Sequence, residues 1–122
     1  MAAKRPKQSP ENILRFNQLL IGYLDAGGHN DAWLARKTNL SKTTISKMVQ
    51  NRDYRGGYYY PTPASLIAVC LALDITKEQR WEMYSLVFPE HAIYIEAMNN
   101  GYSVAKTNAM LDEKNLPALT DP

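Results

Sequence analysis

The chain has 122 residues, 45% hydrophobic and 21% charged, a composition that fits one globular domain with at most a short appendage. That apolar content excludes global disorder. The longest nearly apolar run, Ala64 to Leu73, is ten residues, where a bilayer-spanning helix needs about 20. A single cysteine, Cys70, excludes an internal disulfide and any multi-cysteine zinc site, and the basic N-terminus is followed by polar residues, which argues against a secretory signal. A cytoplasmic protein with no membrane contact is expected.

The net charge is only +2, but it is unevenly spread. Residues 1–60 hold ten Lys/Arg and four Asp/Glu, whereas residues 61–122 hold four and eight. One basic half and one acidic half suggest a side that faces a polyanion. The imbalance peaks between Asp31 and Asp53, where 21 residues carry five cations (Arg36, Lys37, Lys42, Lys47, Arg52) and no acid.

In chain order, residues 1–10 combine two prolines with Lys4, Arg5 and Lys7 and read as a flexible basic arm. From Glu11 the pattern is helical, with Ile13, Leu20 and Leu24 near one face and Leu14, Phe16 and Ile21 widening it. Gly27-Gly28 stops this helix. Asn30 caps a short helix to Lys37. Thr38-Asn39-Leu40 is a tight connector in which Asn tolerates the left-handed conformation. Ser41 caps the next helix, Lys42 to Gln50. Asn51 to Pro63 holds two glycines, two prolines and four tyrosines and reads as a long ordered loop. Thr62-Pro63 is a cap with proline at the first helical position. The helix to Leu73 is apolar on most sides and is expected at the centre of the core. Thr76 with Gln79 forms a capping box that opens a helix to about Val87, with Trp81, Tyr84 and Phe88 near one face. Pro89 opens a segment to Asn99, Asn100-Gly101 ends it, and Ser103 caps a last helix to about Lys114. Leu116, Pro117 and Leu119 form an apolar tail expected to fold back. No segment alternates as a strand does, so the fold class is all-α.

Asn30 to Gln50 has the spacing of a helix-turn-helix. Leu34, Leu40, Ile45, Met48 and Val49 are the positions that face a core, and Ala35 is small where the helices approach. On the second helix Lys42, Thr43, Ser46, Lys47 and Gln50 share the outward face. That face has two cations, two hydroxyls, an amide and no carboxylate. It can approach phosphates without repulsion and donate to base edges in a major groove. The plainer reading of the same residues is a solvated helix face.

The stretch AWLARKTNLSKTTISKMVQNR (Ala32 to Arg52) resembles the helix-turn-helix of the Cro/CI or XRE family of phage-type repressors. The matching features are Leu34-Ala35, Leu40-Ser41 at the turn and Ile45-Ser46. SLIAVCLALDITKEQRWEMYSL (Ser65 to Leu86) is similar to the family's fourth and fifth helices. The resemblance implies a five-helix lambda-repressor-like DNA-binding domain over residues 11–88, with a helical C-terminal extension over 89–122. It also implies a homodimer on a palindromic site in double-stranded DNA. Carried over by position, Lys42, Thr43 and Lys47 would contact bases. Ser41, Thr44, Ser46, Gln50, Arg52 and Arg55 would contact phosphates. Two departures stand out. Asp31 occupies a position where a glutamine commonly touches the backbone, and Asn39 replaces the usual turn glycine. Lys4, Arg5 and Lys7 are either groove- or phosphate-contacting residues or an ordinary terminus. Tyr58, Tyr59 and Tyr60 either pack on the domain, stack with a partner or touch DNA, with packing favoured.

Other chemistry finds little support. His29 and His91 lack a ligand-spaced partner, so no metal is expected, and no cofactor motif is present. No nucleophile–base pair, phosphate loop or paired carboxylates point to an enzyme. Cys70, Trp33 and Trp81 are expected in the core. The leading expectation is a sequence-specific transcriptional regulator of bacterial or phage type. The alternative is a protein-interaction module, such as an antitoxin or adaptor, that docks through Leu111, Leu116 and Leu119.

Overall fold

A computed structural model of the chain describes residues 10–52 and 57–120. Lys4, Arg5, Lys7 and Arg55, named above as DNA contacts, lie outside the described residues. The described residues are all-α, with seven helices and no strand among them: α1 (Pro10–Gly27), α2 (Asp31–Thr38), α3 (Lys42–Gln50), α4 (Pro63–Ala72), α5 (Lys77–Val87), α6 (Pro89–Asn100) and α7 (Val104–Glu113). They form two compact units that divide after Val87. No described helix is long and apolar enough to cross a membrane.

Local chemistry sets the helix ends. Asn30, Ser41, Thr62 and Ser103 each accept a backbone N–H from three residues on, which satisfies a donor that the first turn leaves unpaired. Thr76 and Gln79 close a reciprocal box, with the Thr76 N–H donating to Gln79 Oε1 at 2.8 Å and the Gln79 N–H to Thr76 Oγ1 at 3.1 Å. Four C-termini share one device, a left-handed residue followed by an N–H that reaches back five residues. Gly28, Asn51, Gly101 and Asn115 supply the left-handed residue. The returning bonds are His29 to Leu24, Arg52 to Lys47, Tyr102 to Ala97 and Leu116 to Leu111, all 2.9–3.1 Å.

In the first unit α1 packs on α3 and α5, α2 on α3 and α4, and α4 on α5. Ile13, Phe16, Leu20 and Leu24 of α1 are buried, as are Leu34, Ile45, Met48, Leu66, Val69 and Met83. The buried stripes are narrower than the sequence pattern predicts. Leu14 and Ile21 are exposed, because each sits about 100° round the helix from a buried neighbour. α4 buries Leu66, Val69 and Cys70, but Leu71 is 71% exposed and Ile67 is also exposed; contact with α2 and α5 covers one side of it only. Trp81, expected in the core, is 40% exposed. The i, i+4 pair Met83 and Val87 takes the buried side of α5, and Trp81 instead meets the Tyr84 ring edge-on at 6.1 Å. Trp33, Leu40 and Val49 are half-buried. Cys70 is buried as expected, and burial pushes its thiol up to about 11.

In the second unit α6 and α7 pack together. Phe88 lies outside α5 and stacks on His91 at 4.9 Å. Ile93, Thr107 and Leu111 are buried. The tail folds back on α7, with the Leu119 N–H donating to Asn108 Oδ1 at 2.8 Å. A groove of about 470 Å³ remains open between Tyr94, Met98, Tyr102, Val104 and Leu119. Leu111, expected as a docking side chain, is fully buried, and the exposed large apolar groups of this unit are Ile95, Met98, Val104 and Leu119.

Candidate nucleic-acid interface

The α2–α3 pair is built by short-range bonds. Asn30 Oδ1 accepts the Trp33 N–H at 3.0 Å. The His29 ring stacks parallel on Trp33 at 3.6 Å and lies over Gly27, where a Cβ would stand 2.6 Å from it. At the turn, the Thr38 hydroxyl donates to the Leu34 carbonyl (2.8 Å) and accepts the Leu40 N–H (3.2 Å). Asn39 is left-handed at φ 61°. Ser41 Oγ then accepts the Thr44 N–H at 3.1 Å and donates to Thr44 Oγ1 at 2.9 Å.

These bonds fix the rotation of α3 about its axis. Ile45 and Met48 point inward and are sealed. Lys42, Thr43 and Gln50 are exposed, and Ser46 and Lys47 are half-buried. The five outward residues span an arc of about 140°. Arg52 is exposed just past the left-handed Asn51. From Ala32 to Arg52 the surface offers cations, hydroxyls and amides with no carboxylate.

Ser41 Oγ caps α3 and pairs with the Thr44 hydroxyl, and Thr44 itself is half-buried. The positions of Gln50, Ser46 and Arg52 are compatible with the expected contacts.

Two residues outside α2 and α3 matter here, of which the sequence pattern singles out only the second. Asn17 of α1 donates from Nδ2 to the carbonyls of Met48 (2.9 Å) and Val49 (2.8 Å), tying the last turn of α3 to α1. The available signal was positional: an amide lies within the apolar stripe of Ile13, Phe16 and Leu20. The second is Tyr59. Its ring centroid lies 5.9 Å from Lys47 Nζ, and burial pushes its phenol pKa up. Of the three tyrosines, Tyr59 is half-buried while Tyr58 and Tyr60 are exposed.

Among the described residues no group of three or more His, Cys, Asp or Glu side chains is placed to hold a metal ion. No family model, curated protein or solved structure matches this chain.

Proposed function

We propose that the protein is a sequence-specific double-stranded DNA-binding regulator of the bacterial or phage XRE type. On this reading α1–α5 form a lambda-repressor-like domain and α3 enters the major groove. The protein works without metal or cofactor, binds as a homodimer on a two-fold site, and is a cytoplasmic binding protein, not an enzyme. The observation that carries this is the outward arc of α3: Lys42, Thr43 and Gln50 are exposed with Lys47 at its edge, and the arc has no carboxylate and a rigidly capped backbone beneath it. Lys42, Thr43 and Lys47 read bases, with lysine favouring guanine O6 and N7. Thr44, Ser46, Gln50 and Arg52 hold phosphates, and the positive N-terminal end of α3 adds to the attraction.

Selection of bound duplexes from a random pool tests this reading. The expected result is a half-site repeated with two-fold symmetry. Affinity should fall steeply as salt rises, and Lys47→Ala should cost roughly 1–3 kcal/mol on the selected site. Binding that ignores salt, or an unenriched pool, overturns the reading. The competing reading, a protein-interaction module on the same scaffold, loses one expected anchor because Leu111 is sealed. Partner capture that requires residues 101–122 and no DNA would favour it.

A further inference from the structure

Lys47 differs from the other cation of the α3 arc. Lys42 is exposed at one edge, whereas Lys47 is half-buried at the other, with its ammonium within cation–π reach of the Tyr59 ring at 5.9 Å. A lysine on a four-carbon stem samples many rotamers, and each contact it makes must order that stem. An ammonium within cation–π reach of an aromatic ring samples fewer rotamers than one in open solvent. Tyr59 is half-buried, so the ring is itself held by its surroundings. We propose that Tyr59 is a positioning residue that orients Lys47 and thereby sharpens the preference of α3 for a guanine-containing base pair. The proposal rests on the DNA-binding reading above. It assigns the loop after α3 a part in specificity that the helix-turn-helix alone does not supply.

The test uses the full chain with Tyr59→Phe, which keeps the π face, and with Tyr59→Leu and Tyr59→Met, which keep bulk without it. In the free protein, NMR should place the Lys47 side-chain methylene resonances upfield in the wild type and in Tyr59→Phe, and at ordinary positions in the other two. In duplex selection, the preference at the base pair that Lys47→Ala relaxes should fall about two- to fivefold in Tyr59→Leu and Tyr59→Met. It should survive in Tyr59→Phe, and affinity for non-cognate duplex should stay unchanged in all three. A purely structural Tyr59 would lower the melting temperature and all affinities together, and that outcome overturns the proposal. So does an unchanged base preference in Tyr59→Leu once the upfield shift is gone. A wild-type chain that binds no duplex overturns the DNA reading and this proposal together. A wild type that binds and discriminates, but whose Lys47 resonances show no ring effect, overturns the positioning role alone.

Discussion

The pairs α2–α3 and α6–α7 are joined by the same three-residue turn and present opposite chemistry. Each first helix ends on a left-handed residue, Asn39 at φ 61° and Gly101 at φ 64°. A half-buried hydrophobic or aromatic residue follows, Leu40 and Tyr102. Then comes a serine cap, Ser41 at φ −65°, ψ 152° and Ser103 at φ −66°, ψ 159°. The serine oxygens accept the Thr44 and Lys106 N–H groups at 3.1 and 3.0 Å. Above the first turn lies a cationic, hydroxylated arc. On the second pair lie an apolar groove and Met98, 84% exposed. The difference teaches that turn chemistry makes a helix-turn-helix, while the residues it leaves facing outward decide what the pair can bind. The pairs are also anchored differently: α3 from α1 through Asn17, α7 by its own following tail through Asn108.

The anchors give the largest expected contrast. Asn17→Ala removes two part-buried hydrogen bonds and leaves two carbonyls without that donor, at a cost of roughly 1–3 kcal/mol. Asn108→Ala removes one exposed bond and should cost about 0.5–1 kcal/mol. Chemical denaturation of the two variants measures both values. Hydrogen exchange should rise in the last turn of α3 in the first variant and in the 116–119 tail in the second. Equal losses in the two would break the proposed asymmetry of anchoring.

The caps come next in size. Ser41→Ala and Ser103→Ala each lose a cap bond of the same geometry, so each should cost about 1 kcal/mol, with Ser41→Ala also losing its exposed hydroxyl bond to Thr44. Their effect on binding should differ. Ser41→Ala frays the first turn of α3, where Lys42 and Thr43 stand, and should weaken duplex binding measured by fluorescence anisotropy. Ser103→Ala should leave the affinity per DNA-binding domain unchanged. If both weaken binding equally, the α6–α7 pair belongs to the DNA-binding surface and the division of labour fails.

These contrasts also show what the sequence could tell. The caps were legible because Asn30, Ser41, Thr62, Thr76 and Ser103 act on residues three positions away, and so were the left-handed Asn39 and the helix-turn-helix spacing. The width of each buried stripe was not. Leu71 and Trp81 are as apolar as Leu66 and Met83, and only the placement of neighbouring helices decides which of them is covered. Within the candidate site, the outward arc followed from helical periodicity. Asn17 and Tyr59 act across 31 and 12 positions of sequence, and no local period links them to α3. Leu111 shows the converse: an apolar residue near the end of the chain reads as a docking group, yet the fold buries it fully.

The smallest expected effect is the most exacting check on the shared turn. If Asn39 and Gly101 serve only to hold a left-handed backbone, the exchanges Asn39→Gly and Gly101→Asn should each move stability by no more than about 0.5 kcal/mol, since both residue types adopt that conformation readily. Gly101→Ala should cost about 1 kcal/mol, through backbone strain alone, because no atom lies within 4 Å of where its Cβ would stand. Duplex affinity should survive Asn39→Gly. A large loss of affinity at unchanged stability would mean that the exposed Asn39 amide touches the partner directly, and the turn of α2–α3 would then be part of the recognition surface as well as its hinge.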